Sequence, residues 1–383
     1  MLLLALLAVL IFGGTYVAIT AGGDLFAPPA ASGSPQRVVI RPDETTAAIA
    51  DDLQRRGLIH SALAFRLWAR YRGLDRHLQA GAYLIRPGMT TDQIVTTLER
   101  AVPDFVVVTV PEGLRVLEYP AYLRTLPKFD AADFLRIAQT GQFSGRERYW
   151  YVAPPAPGAR YALEGYLFPS TYDIDPQATA TDVVVALLDG LGQQLCPGPS
   201  QDPNRYIFDE ALCVAHARIV DPATNVTIFD ALARRHLTLE QALTLAAIVQ
   251  REARSPAAKA GVASVYYNRY LAAANLQPGP DNGGPITLDA DPTVQYAIGT
   301  AQTPWPVLRA QARTIAPSDA FNSYTHIGLP PGPIAGSGLD VLIDVIAAPL
   351  TDNYYFITGA DHQMHFAHDY AEQQANLARY GTG

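Results

Sequence analysis

Val38-Val39-Ile40-Arg41-Pro42, followed by Thr45, Ile49 and Leu53, returns further along the chain as Tyr83-Leu84-Ile85-Arg86-Pro87, followed by Thr90, Ile94 and Leu98. The step from proline to isoleucine to leucine is the same in both copies. Each copy predicts a short strand, a proline-bearing turn, a threonine that accepts from free helix amides, and a helix with apolar residues four apart. Between the copies, Ser61 to Tyr71 reads as another helix, with Leu63, Phe65, Leu67 and Trp68 available for packing. The expected first module is therefore strand–helix–helix–strand over residues 37–101. A weaker third echo begins at Val107-Val108-Thr109-Val110-Pro111-Glu112-Gly113.

Working towards the N-terminus, residues 24–36 read as a linker, because Ala27 to Pro35 is rich in Pro, Ala, Gly and Ser. Before it, Leu2 to Ala21 carry no charge. At 1.5 Å per residue that run spans about 30 Å, the thickness of a bilayer's hydrocarbon core. Residues 1–23 are therefore expected to form a transmembrane anchor. A cleaved signal peptide is the competing reading, with Ala18-Ile19-Thr20-Ala21 offering a small-residue cleavage point. The length of the run and the absence of a basic start oppose it.

Towards the C-terminus, residues 102–383 mix signals. Asp182 to Leu191 and Thr238 to Arg251 have helical periodicity, and Tyr354-Tyr355-Phe356-Ile357-Thr358 is strand-like. Strands and helices in this order predict an α+β fold rather than a doubly wound sheet. The 383 residues leave room for two domains. With 49% hydrophobic and 17% charged residues, the chain can build a core and is not of disordered type. The net charge of −8 argues against a nucleic-acid partner. The sequence has neither Gly-x-Ser-x-Gly nor a phosphate loop, which removes support for serine hydrolases and nucleotide enzymes. His362, His365 and His368 recur every three residues, a spacing foreign to zincin and facial-triad patterns, so no metal and no other cofactor is expected.

The chemistry centres on Leu163-Glu164-Gly165-Tyr166-Leu167-Phe168-Pro169-Ser170-Thr171-Tyr172. One carboxylate stands in an apolar and aromatic run that also includes Tyr161. Burial among rings disfavours the charged form and raises a carboxyl pKa. An acid still protonated near neutral pH can protonate a leaving-group oxygen, as glycosidic cleavage requires. For an isolated glutamate, a solvated turn residue would be the ordinary reading.

The same run resembles the motif of the membrane-anchored endolytic murein transglycosylases, the YceG-like family. Further blocks follow in that family's order: Ala247-Ile248-Val249-Gln250-Arg251-Glu252-Ala253, Val265-Tyr266-Tyr267-Asn268-Arg269, Asp291-Pro292-Thr293-Val294-Gln295-Tyr296, and Asn322-Ser323-Tyr324-Thr325-His326-Ile327-Gly328-Leu329-Pro330-Pro331-Gly332-Pro333-Ile334. The resemblance runs from about residue 37 to the end. It implies one N-terminal span in the cell membrane, a body on its outer face, a LysM-like module at 37–101 and a catalytic domain at 102–383. True LysM modules bind the N-acetylglucosamine of glycans; a spacer of the same topology is the alternative.

The resemblance also implies that Glu164 is a general acid and then a base. It would cleave the bond from N-acetylmuramic acid to N-acetylglucosamine and leave 1,6-anhydro ends. Peptidoglycan glycan strands would be the substrate and cell-wall synthases potential partners. Tyr166 and Tyr172 are candidates for stacking on sugars. Glu252, Asp291 and Asp173 are candidate helpers, against ordinary roles in helix charge, an Asp-Pro turn and surface solvation. Asn268, Thr293, Asn322 and Tyr324 are candidates for holding N-acetyl or hydroxyl groups, against loop-tethering hydrogen bonds. Pro330 to Pro333 form a rigid loop expected to shape the cleft.

Two alternatives stay open: a peptidoglycan-binding scaffold without cleavage, and a muramidase-type hydrolase that uses water.

Several positions depart from the family. Gln250 stands where the family carries an acidic residue, Asp289 where a glutamine or another polar residue is usual, and Gln373-Gln374 where His-Asn is common. Gln277 to Pro285 enlarges a loop. These departures bear on substrate detail more than on reaction class. The family usually lacks or shortens the stretch from about 193 to 227, which holds the only cysteines, Cys196 and Cys213. Outside the cytoplasm the two suggest a disulfide, with two buried free thiols as the alternative.

Overall fold

A computed structural model describes residues 36–381 apart from 41–43, 74–80, 87, 100–104, 199–206, 254, 275–278, 281–285 and 310. The expected anchor at 1–23 and nearly all of the linker at 24–36 lie outside the described residues. Among those described, no helix is long and apolar enough to cross a membrane. The chain divides into two compact units after Val106.

The first unit runs β1 (Gln36–Ile40), α1 (Thr46–Arg55), α2 (Ala62–Tyr71), β2 (Gly81–Ile85) and α3 (Thr91–Glu99). β1 and β2 pair antiparallel, with Val38 opposite Tyr83 and Gln36 opposite Ile85. Because side chains alternate along a strand, Val38 and Ile40 share one face with Tyr83 and Ile85, and all four are buried. The repeated residues Ile49, Leu53, Ile94 and Leu98 lie in the same core. Thr45 caps α1, its hydroxyl accepting the Ala48 amide at 3.2 Å. Thr90 and Gln93 exchange side chain and amide at the start of α3. One packing expectation is corrected. α2 buries Phe65 and Ala69, whereas Leu63 and Leu67 are exposed. At about 100° per residue the two leucines lie on the opposite face from Phe65.

The second unit opens within β3 (Val106–Thr109), at Val107, and β3 pairs with β4 (Thr171–Ile174). Between them come α4 (Tyr119–Leu123) and α5 (Ala131–Thr140). After β4 follow α6 (Ala180–Leu195), α7 (Glu210–Ala215), the small pair β5 (Ile219–Asp221) and β6 (Val226–Thr227), α8 (Ile228–Arg234), α9 (Leu239–Glu252), α10 (Pro256–Ala273), α11 (Asp291–Ile298) and α12 (Leu339–Ala347). The pair β7 (Tyr355–Thr358) and β8 (Met364–Ala367) and the helix α13 (Tyr370–Tyr380) close the chain. Every sheet among the described residues has two strands, so the architecture is mixed α+β. α9 buries every residue from Ala242 to Val249, as a helix apolar all round must, and packs with α10 and α12. Thr179, Thr227 and Thr238 close capping boxes on α6, α8 and α9.

Cys196, at the end of α6, and Cys213, in α7, form a disulfide with their Cα atoms 5.1 Å apart. The third sequence echo does not repeat the strand–turn–helix pattern. After β3 the chain runs as an extended arm, with the Gly113 amide donating to Gly336 O at 2.7 Å and the Gly336 amide to Leu114 O at 2.9 Å. The arm ends in one 3₁₀ turn, Val116–Glu118.

Candidate active site

Glu164 sits in the tight turn that follows Tyr161. Its neighbour Gly165 has φ +79°, and a Cβ there would overlap the Pro333 ring. Only glycine accepts both conditions, so the Pro330–Pro333 loop seats directly on the turn. Glu164 itself is 2% exposed. Oε1 accepts the Val116 amide at 2.8 Å and Oε2 accepts the Tyr296 hydroxyl at 3.1 Å. Burial pushes its pKa up to about 8. The Val116 amide, the Arg115 charge and the Tyr296 hydroxyl each pull it back down, and Glu118 adds a smaller upward push.

Arg115 builds the wall behind the carboxyl. It is 1% exposed, and its guanidinium lies 4.1 Å from the Tyr296 ring centroid. It donates to Pro304 O at 2.7 Å and to Tyr296 O at 3.1 Å, while its Nε has no hydrogen-bond partner among the described residues. Arg160 reaches the same helix end, donating to Tyr296 O, to Ala297 O and to Asp319 Oδ2 at 2.6 Å. Glu118 accepts the Arg115 amide at 2.9 Å and the Trp305 indole N–H at 3.0 Å. Arg251, from the end of α9, stacks 3.8 Å from the Trp305 ring centroid. Gln250, beside it, accepts the Gly338 amide at 3.3 Å. The arm, the turn and α11 thus meet at one buried acid whose proton affinity burial raises, with Pro304 held by Arg115 and the end of α9 stacked on Trp305.

The other sequence candidates separate into two groups. Tyr166 is buried, its hydroxyl accepting the Ala153 amide at 3.3 Å. Tyr172 donates to Phe168 O at 2.6 Å and lies against Gly190. Asn268 donates to Thr351 O and Asn353 O, and Asn322 to Ala312 O and Ile315 O. Thr293 donates to Ala290 O and meets the Ser323 hydroxyl. These side chains spend their polar atoms on the protein's own chain.

Glu252, Asp291 and Tyr324 instead come together, lining a cavity of about 260 Å³ with Tyr266, Arg269 and Tyr355. Tyr324 donates to Asp291 at 2.9 Å and Tyr266 to Glu252 at 3.1 Å. Asp291 opens α11, and Tyr296 stands five residues on, roughly 7–8 Å along the axis. That helix joins the cavity to Glu164. Asp173 lies exposed on β4. His365 pairs with Asp361, and His368 bonds to Asp352 O. Among the described residues no group of three His, Cys, Asp or Glu side chains is gathered to hold a metal ion.

Sequence reasoning missed Tyr296 and Arg115. Tyr296 closes the Asp291–Tyr296 block and Arg115 follows the Val107–Gly113 echo, so each stood beside a flagged segment. Nothing local signals that Tyr296 meets a carboxylate 132 positions away.

Residues 38–379 match the YceG-like family. An endolytic murein transglycosylase of Bacillus subtilis (strain 168) is 24% identical over 343 residues, covering 88% of this chain and 82% of that protein. A protein of the same name from Streptococcus pneumoniae serotype 2 is 23% identical over 350 residues, 87% of this chain, and the chain spans only 56% of its length. A crystal structure of a yceG-like protein from Listeria monocytogenes aligns with 90% of this chain and 99% of its own at 23% identity, with a TM-score of 0.49. The match extends across both units, and the chain belongs to the YceG-like family.

Proposed function

We propose that this protein is an endolytic lytic transglycosylase of peptidoglycan, anchored by residues 1–23 with its body on the outer face of the cell membrane. The observation that carries the reading is the Glu164 carboxyl, buried and pushed up to about pH 8. The names of the relatives support the substrate class.

Glu164 protonates the oxygen that links N-acetylmuramic acid to N-acetylglucosamine, and the C1–O bond breaks. An oxocarbenium-like or oxazolinium species forms at C1. The carboxylate left behind is strongly basic for its type because it is buried, so it takes the proton of the muramoyl C6 hydroxyl. O6 then closes on C1 and gives the 1,6-anhydro end. No water is consumed, and Glu164 regains its proton. Oε2 is the oxygen that meets substrate, because its present donor is a side-chain hydroxyl that can turn away, whereas the Val116 amide is fixed in the backbone.

A scaffold that binds peptidoglycan without cutting has one observation in its favour: both oxygens of Glu164 already have donors. Mass spectrometry of glycan strands incubated with the protein separates the readings. Anhydromuramoyl ends made by the parent and absent with Glu164→Gln are expected. Reducing ends instead would mean a hydrolase, and binding without any new ends would leave the scaffold.

A further inference from the structure

Leu63, Leu67 and Tyr71 recur every four residues on α2 and are 63%, 58% and 80% exposed. Arg66 and Arg70, both exposed, continue the same arc. At 100° per residue the five side chains fall within about 140° of the helix circumference. The opposite side carries the Phe65 and Ala69 seam that packs inward. Trp68, half-buried, sits at the apolar edge with its ring centroid 5.4 Å from that of Tyr71. The neighbouring arginines are spoken for: Arg55 and Arg56 pair with Asp52, and Arg72 pairs with Asp92. Arg66 and Arg70 have no such partner among the described residues.

An apolar stripe edged by two guanidinium groups that are unpaired among the described residues, and by Trp and Tyr rings, fits the headgroup boundary of an anionic bilayer. The leucines enter the acyl margin, the rings sit at the interface, and the arginines reach lipid phosphates. The chain's own connectivity brings such a surface near. The uncharged run ends at Ala21 and β1 begins at Gln36. The fourteen residues between can extend no more than about 50 Å.

We infer that α2 docks the first unit onto the anionic surface of the membrane that holds residues 1–23. The inference rests on the anchored reading proposed above. The unit is then fixed to the bilayer at two places, by the span and by the α2 face.

The test places a nitroxide at position 67 of the full chain (Leu67→Cys), with Lys128→Cys, in an exposed loop of the second unit, as the aqueous reference. The native cysteines are paired and take no label. Each protein is reconstituted in vesicles of phosphatidylcholine with phosphatidylglycerol, and collision with oxygen is compared with collision with a nickel chelate. Position 67 is expected to show an oxygen-to-nickel ratio about threefold or more above position 128, as for a side chain at the acyl margin. Adding Arg66→Glu and Arg70→Glu, or using phosphatidylcholine alone, is expected to return position 67 to the aqueous value. An aqueous ratio at 67 in anionic vesicles overturns the inference. So does a label shielded from both probes, which would mean a protein cover. A high ratio indifferent to lipid charge overturns the assignment to anionic lipid. Protein released from the vesicles by alkaline carbonate overturns the anchor and the docking together, without touching the chemistry of Glu164.

Discussion

At Glu164 the desolvation of a carboxylate competes with three attractions, and desolvation is the larger. The consequence for stability has a definite sign. An unfolded glutamate titrates near 4.5 and this one near 8, so between those values the folded state holds the extra proton and stability falls as pH rises. Below about 4.5 both states are protonated and the contribution is whole. Glu164→Gln resembles the protonated acid but cannot ionise. Its melting temperature is expected to match the parent's near pH 4.5 and to exceed it near pH 9, by up to roughly 4–5 kcal/mol of stability. Thermal melts across pH check this, and parallel curves would rule it out. Tyr296→Phe removes the hydroxyl that favours the ionised carboxylate. The alkaline limb of the pH–activity profile for strand cleavage should therefore move upward. A limb that moves downward would mean that Tyr296 does not stabilise the charged form.

At the scale of the element, the turn bearing Glu164 depends on its contact with the proline loop. Gly165→Ala places a Cβ into Pro333 and forces a left-handed backbone on alanine, so a loss of about 2–4 kcal/mol is expected. Cleavage should fall with it, because the displaced turn carries Glu164 away from Val116 and Tyr296. Calorimetry and product assay on the same variant check both, and an unchanged melting temperature would show that the loop yields freely. The link between α6 and α7 depends on a different constraint. Cys196 and Cys213 close a loop of 17 positions, and reducing them is expected to cost on the order of 3 kcal/mol.

Over the whole molecule, the chain divides after Val106, each side with its own core. Thermal unfolding is therefore expected to show two transitions. Reductant should lower only one of them, since both cysteines lie in the second unit. A single transition that moves as one body under reductant would show that the units unfold together. The first unit was largely legible in the repeat: Ile49, Leu53, Ile94 and Leu98 are core residues, and Thr45 and Thr90 act at helix starts. The exposed leucines of α2 were not legible, because Leu63 and Phe65 look alike to composition and only the direction of packing separates them. The site divided in the same way. Glu164 and its glycine stood in one local motif, whereas Tyr296, Arg115 and Trp305 arrive from three other segments.

The sequence by itself determined what short-range physics governs. It set the capped helices, the alternation of β1 and β2, the α+β mixture and the one carboxylate placed among apolar and aromatic residues. The tertiary structure alone decided which donors hold that carboxylate and how far its proton affinity rises, because desolvation depends on the atoms that surround it in space. It also decided that Asn268, Thr293 and Asn322 tie loops, while Glu252, Asp291 and Tyr324 share a cavity. A polar side chain's partner is fixed by where the chain returns, and that return is set by the packing of the whole core.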